Sequence, residues 1–252
     1  MKIQILNSKI NVTKLSIINK EINKFLKRKK KSFYICVSAV HSTIEAFKNK
    51  KFEKAHNHAN FAVPDGRPLF WFLNLKGYTK AEHIPGYKIT HSLLKLSEVK
   101  KYKIGIYGSK NYVIKSFKKK ILNQYEKLNI VFNKPHPHSK ISKKKHNKII
   151  NEIKKKNVDI LFVCLGCPLQ ELWMYENSKK LNCVMVGIGA AIDFISGNKR
   201  LAPKFMENIG LAWLFRLASE PKRLFWRYFS TNILFVVLIF LQVFGFKYQN
   251  TK

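Results

Sequence analysis

Acidic residues are scarce in this chain: 14 Asp and Glu stand against 48 Lys and Arg, a formal charge of +34 over 252 residues. Aspartate occurs three times, as Asp65, Asp159 and Asp193. These lie far apart in sequence, so there is no D-x-D pair to hold a divalent metal on a diphosphate. Arginine is nearly as rare, with six: Arg28, Arg67, Arg200, Arg216, Arg223 and Arg227. Four of the six fall after residue 199. Where lysine is the default cation, arginine points to bidentate recognition of phosphate or carboxylate, which lysine cannot perform. There are four cysteines, Cys36, Cys164, Cys167 and Cys183. Three sit in apolar runs, as buried reduced thiols rather than a disulfide framework. Cys164 and Cys167 form a C-x-x-C with no second pair, which argues against a zinc knuckle. His136 and His138 lie beside prolines in KPHPHSK and read as loop residues. No metal and no cofactor is expected.

The N-terminus carries no signal-peptide pattern, its apolar stretch being too short and followed by charge. The longest apolar run, Ile233 to Phe246, is about 14 residues, short of the ~20 that a spanning helix needs. Arg227 and Tyr228 precede it, and Lys247 and Tyr248 follow. This pattern favours an interfacial helix, with a plain core helix as the alternative. Its removal is expected to leave the rest folded. Most lysines read as solvated faces. The remaining field favours anionic partners: nucleotide phosphate, anionic lipid or nucleic acid. The lysines are spread over every helix and no aromatic-basic recognition motif is present, so a basic nucleic-acid-binding protein is the alternative and no nucleic acid is the expectation.

With 46% hydrophobic residues the chain can bury a core. Strands are expected at KIQIL, FYICVSA, ANFAV, KIGIYG, NIVFN, DILFVCLG and CVMVGIG, with helices between them. One helix is expected from a cap at Asn11 or Thr13 to about Lys29. Continuous apolar strands alternating with helices of ~10–15 residues imply an α/β fold: a Rossmann-like parallel sheet with helices on both faces. A boundary near residue 195 separates this domain (1–195) from a helical C-terminal appendage (196–252).

Ligands of such sheets bind at the carboxyl ends of the strands. Three loops there hold informative residues. Pro64-Asp65-Gly66 places a carboxylate either as a helix N-cap or as a base at the mouth of a cleft. Gly166 to Glu171 ends in Gln170, which could bind a sugar or uracil edge, and Glu171, which favours the helix dipole. Gly187-Ile188-Gly189 ends the last strand. Gly105 and Gly108 form a strand-end pair, either a structural turn or a close approach to phosphate. Asp159 reads as structural, and Asp193 as either a cap or a functional group. Arg216, Arg223 and Arg227, spaced by seven and then four, share one helical face. They read as a diphosphate clamp, as partners of Glu220, or as a membrane-facing basic stripe.

Four blocks, VSAVHSTIEAF, ANFAVPDGRPLFW, DILFVCLGCPLQELWMYEN and VGIGAAIDFISGNKRLAPKFMENIGLAWLFRLASEPKRLFWRY, resemble the bacterial WecG/TagA/CpsF glycosyltransferase family. The resemblance covers most of the chain in order. It implies a Rossmann-like domain with a C-terminal appendage that closes the site and touches the membrane. It also implies metal-independent transfer from a UDP-sugar to a polyprenyl-pyrophosphate-linked sugar in cell-envelope polysaccharide synthesis. Such an enzyme would be cytoplasmic, held peripherally at the inner face of the plasma membrane. The aspartate of the family's P-D-G, its proposed general base, matches Asp65. The arginines of R-L-x-x-E-P-x-R, taken to bind the nucleotide diphosphate, match Arg216 and Arg223, with Arg227 a third. The glutamine of P-x-Q-E matches Gln170, and Gly108, Gly187 and Gly189 line the expected nucleotide side. Where members carry Thr-x-Asn this chain has Ser38 to His41. Where they carry Arg-Val-x-Gly-x-Asp it has His83 to Lys88. Ser38, His41, His83 and Lys88 therefore mark the expected acceptor region, and the sugar, the acceptor glycan and the oligomeric state stay open. The family uses N-acetylmannosamine, its uronic acid, glucose, galactose or glucuronic acid.

Overall fold

The computed structural model describes residues 1–28, 33–136 and 141–246. His138, Lys247 and Tyr248 lie outside the described residues, as does the expected helix end at Lys29. A hairpin of β1 (Lys2–Ile5) and β2 (Ser8–Asn11) opens the chain. It is followed by α1 (Leu15–Arg28), β3 (Phe33–Ser38), α2 (Val40–Lys48), α3 (Lys50–Asn57), β4 (Phe61–Pro64) and α4 (Arg67–Leu75). Next come α5 (Gly86–Lys100), β5 (Lys103–Gly108), α6 (Asn111–Gln124), β6 (Asn129–Lys134), α7 (Lys143–Lys155) and β7 (Ile160–Cys164). The described chain ends with α8 (Leu169–Asn177), β8 (Val184–Gly187), α9 (Ala191–Ser196), α10 (Lys204–Asn208), α11 (Ala212–Ser219) and α12 (Pro221–Val243).

β3 to β8 form one six-stranded sheet of order β4-β3-β8-β7-β5-β6, parallel throughout. The chain winds outward from β3 to β4 on one side and from β5 to β6 on the other, with β7 and β8 between. Burial on both faces explains the unbroken apolar strands. Tyr34, Cys36, Leu161, Val163 and Met185 face one core, shared with α2, α4, α7 and α8. Phe33, Ile35, Ile160, Phe162, Val184 and Val186 face the other, shared with α1, α5, α6 and α9. All the strands end at one edge, which gathers the loops after β3, β4, β5, β7 and β8. Asp159 is structural, its Oδ2 accepting from the Lys103 amide at 2.9 Å.

Two local expectations change. Asn11 does not cap α1: it lies in β2 and its Oδ1 accepts from the Ala62 amide at 2.8 Å. The amide of Leu15 instead donates to Glu82 Oε2 at 2.8 Å, so a distant carboxylate caps α1. The C-terminal apolar segment is also longer than its apolar run. It belongs to a 23-residue helix that starts with Pro221 in the first turn, where a missing amide hydrogen costs nothing. Among the described residues this is the one helix long and apolar enough to cross a membrane. Yet Leu224, Thr231, Phe235 and Leu238 are buried along one stripe of it. Phe235 and Leu238 join the sheet core. Gln242 accepts from the Leu6 amide at 2.9 Å and donates to the Gln4 carbonyl at 3.1 Å. A helix bound along its length in this way lies on the domain, and cutting it away would strip core contacts rather than leave the rest intact. The opposite stripe, Phe225, Trp226, Phe229, Ile233, Val236 and Phe240, is exposed.

Candidate active site

The turn after β4 holds Asp65 through its backbone. Its amide and that of Gly66 both donate to the Ser38 carbonyl, at 2.8 and 3.2 Å. Gly66 is tight against Ala39, where a Cβ would stand 3.3 Å from the Cα. Asp65 does not cap the helix that follows it, because Gly66 is the N-cap of α4. Its Oδ1 accepts instead from the amide of Gly86, the first residue of α5, at 3.0 Å. That helix end favours a carboxylate. His83 Nε2 donates to the Asp65 carbonyl at 2.5 Å. Burial pushes the Asp65 carboxyl above its ordinary value, against the lowering effects of the Gly86 hydrogen bond, His83 and Arg216, and with Glu207 adding to the rise. Burial likewise pulls His83 down. A half-buried carboxylate of raised basicity, fixed by a helix end, is suited to accepting a proton.

Beside it a cavity of 360 Å³ is lined by Arg67, His83, Tyr87, Lys88, Lys204 and Glu207, among others. Arg67, marked in the sequence only by its rarity, Tyr87, only by lying within the His83 to Lys88 segment, and Glu207, not marked at all, were not assigned to the site there. Tyr87 donates to Glu207 at 2.8 Å, and Arg67 Nη2 donates to Asn208 Oδ1 at 3.0 Å. These bonds bring α10 over the cleft. Gly210, with φ +77, sits so close to Trp71 that a Cβ would stand 2.2 Å from its ring, which fixes the turn after α10. Lys88 pairs with Glu82 on the same wall.

The arginines of the C-terminal segment converge on this edge in different states. Arg216 lies over the Phe194 ring at 5.3 Å and acts electrostatically on Asp65. Arg223 is held by Glu220 through Nε and Nη2 at 2.7 and 2.8 Å. Lys199 also donates to Glu220, at 3.0 Å. These pairs hold the Glu220 carboxyl down at about 2. Arg227 lies over Tyr228 at 5.3 Å, with a buried Nε that has no partner. Burial lowers the Arg227 pKa, against the raising effect of its contact and hydrogen bond with Tyr228, and repulsion from Arg216 and Arg223 adds a smaller lowering. Asp193, facing Lys199, Glu220 and Arg223, is pushed up by burial.

The remaining sites divide. His41, in the first turn of α2, is pulled down to about 4 by burial and by Arg227. Its Nδ1 is buried without a partner. Ser38 is fully buried and its hydroxyl pairs with His56 Nε2 at 2.8 Å, so it serves Asp65 through its carbonyl and its side chain does not line the cavity. Gly108 has φ +107, and a Cβ there would stand 2.7 Å from the Cys164 backbone. That contact with β7 is enough to require glycine. Gln170 is packed over Gly187, whose Cβ would stand 3.1 Å from its amide, and beside Gly189. Among the described residues no cluster of His, Cys, Asp and Glu could hold a metal ion.

The model of the Glycosyl transferase WecG/TagA/CpsF family matches residues 3–249. Among similar proteins, one of Bacillus subtilis (strain 168) is 30% identical over 195 residues, covering 74% of this chain and 74% of its own length. One of Bacillus spizizenii (strain W23) is 26% identical, covering 86% of this chain and 84% of its own length. One of Staphylococcus aureus (strain MW2) is 23% identical, with 85% and 83% covered. All three are named N-acetylglucosaminyldiphosphoundecaprenol N-acetyl-beta-D-mannosaminyltransferase.

Proposed function

Since the chain belongs to the WecG/TagA/CpsF glycosyltransferase family, we propose that it moves N-acetylmannosamine from a UDP-sugar to a polyprenyl-pyrophosphate-linked N-acetylglucosamine. The sugar and the acceptor follow the names of its relatives. Asp65 takes the proton from the acceptor hydroxyl as that oxygen attacks the anomeric carbon. The bond to the UDP oxygen breaks in the same displacement, so the anomeric configuration inverts. Arg216, Arg223 and Arg227 neutralise the charge that develops on the departing diphosphate, without a metal ion. The observation that carries this reading is the arrangement of charge at the sheet edge. A carboxylate of raised basicity faces Arg216, and two further arginines stand close enough to repel each other, one with a buried, unpartnered Nε. An anion bridging them removes that repulsion. The basic surface serves this anionic substrate and the membrane, and the nucleic-acid reading is set aside.

α12 supplies the membrane contact. Its exposed stripe of Phe225, Trp226, Phe229, Ile233, Val236 and Phe240 has the make-up of a helix lying in the interface, and flanking lysines favour anionic lipid. The enzyme then works from the cytoplasm at the inner face of the membrane. The test is transfer followed by mass spectrometry, with a panel of UDP-sugars, a short-chain lipid-pyrophosphate N-acetylglucosamine acceptor and a chelator. A mass gain of one N-acetylhexosamine from UDP-N-acetylmannosamine is the expected result. Absence of UDP binding would overturn the reading.

A further inference from the structure

Gln170 and Glu171 open α8 behind the carboxyl ends of β7 and β8, and are only 4% and 1% exposed. Gln170 Nε2 donates to Glu171 Oε1 at 2.9 Å and to the Gly187 carbonyl at 3.3 Å. A primary amide has two N–H donors, and both are taken by groups that only accept. Turning the amide over would set its oxygen against a carboxylate and a carbonyl, so the chemistry of the neighbours fixes its orientation. Oε1 is left buried with no protein partner. It lies 3.5 Å from where a Cβ on Gly189 would stand, on the side of the loop after β8. Gly189, which has no side chain, is its neighbour on that side.

We propose that Glu171 is a positioning residue that locks Gln170 as a hydrogen-bond acceptor, so that the cleft selects a sugar nucleotide presenting an O–H or N–H donor at that point. The inference rests on the glycosyltransferase reading and adds to it a specificity device built from two adjacent residues. An unpartnered buried acceptor is costly, which is why a ligand donor is favoured there. Ionisation of Glu171 is part of the device. Burial pushes its carboxyl up to about 7. Once protonated it carries an O–H of its own, which can donate to the amide oxygen and release the lock. The groups that face it are Cys36 on β3, Glu45 on α2 and Cys167 in the loop after β7, with Arg227 of α12 and Lys2 of β1 acting on those cysteines.

The experiment is calorimetric titration of the full chain with UDP-N-acetylmannosamine and with UDP, each one pH unit either side of about 7. The proteins are wild type, Glu171→Gln, Gln170→Met and the double variant, each checked by Tm. Glu171→Gln keeps the shape and should melt no lower than wild type. Each single change is expected to weaken UDP-N-acetylmannosamine binding about ten-fold, and the double variant should be no weaker than Gln170→Met. Wild-type affinity should fall as pH drops through about 7, and Glu171→Gln should lose that part of the dependence. Asp65 and His83 titrate in both proteins, so the difference isolates Glu171. Weakening confined to the sugar nucleotide places the contact on the sugar, and equal weakening with UDP places it on the nucleotide. Additive losses, or wild-type affinity in Glu171→Gln, would overturn the proposal while leaving the glycosyltransferase reading in place. A wild type that binds neither ligand would overturn both.

Discussion

Asp65→Asn separates chemistry from stability at the proposed base. Asparagine keeps an Oδ1 that can accept from the Gly86 amide, now 3.0 Å from the carboxylate, so the tie to α5 survives. What disappears is the ability to take a proton. Loss of a positioned general base costs about 10²–10⁴-fold in kcat, with donor KM changing little because Asp65 is not one of the cationic residues holding the diphosphate. Stability should move the other way. The folded-state pKa of Asp65 is raised, chiefly by burial. Folding therefore favours the protonated carboxyl, and the stability this gives is fully present below the unfolded-state pKa. It is lost as pH rises through the folded-state pKa. Near neutrality the wild type bears the cost of a desolvated charge that the variant lacks. Stopped transfer assays should show the kcat loss, and thermal melts should show a Tm equal to or above wild type, with the gap widening from acid to neutral pH. Activity within ten-fold of wild type, or a kcat loss accompanied by a lower Tm, would refute the reasoning.

Other changes test other parts. Arg216→Lys loses both the guanidinium plane over Phe194 and the bidentate fork, and should raise the donor KM about ten-fold in steady-state assays. Replacing Trp226 and Phe229, which are 73% and 54% exposed, with serine should cut liposome co-sedimentation by more than about ten-fold and leave Tm unchanged. Phe235→Ala, on the opposite stripe of α12 and 6% exposed, should instead destabilise the fold by about 3–5 kcal/mol in denaturant titration.

Much of this was legible in the sequence because it was written in local patterns. β3, β7 and β8 are buried on both faces and read as unbroken apolar runs. Asp65 and the late arginines stand out against a lysine-rich background. Elements whose stability comes from distant partners were not legible. The β1–β2 hairpin turns at Leu6 and Asn7 with a positive φ of 51° at Leu6, where no glycine marks it. The break between α2 and α3 is marked only by Asn49, whose Oδ1 accepts from the Phe52 amide at 3.1 Å, an ordinary cap once seen. Glu207, Asn208, Tyr87 and Arg67 meet because α10 folds back across the strand ends, and no spacing in the sequence encodes that meeting. Rarity was the one clue to Arg67, two positions after Asp65. The full length of α12 was hidden because Arg227 and Tyr228 interrupt the apolar run without interrupting the helix.

The two-sided character of α12 bears on how the enzyme finds its acceptor. At 1.5 Å per residue the helix extends about 35 Å, with Arg223 and Arg227 at one end and the Gln242 tie to the hairpin at the other. Were its exposed stripe to rest on a bilayer as proposed, the Arg223–Arg227 end of the helix would bring the strand-end cleft towards the lipid headgroups, the level at which the proposed polyprenyl-pyrophosphate acceptor would lie. The acceptor would then reach Asp65 by lateral diffusion without leaving the membrane. Turnover would follow the mole fraction of carrier in the lipid surface and fall when inert lipid is added at constant bulk acceptor, while the soluble sugar nucleotide continued to obey its concentration in the surrounding water.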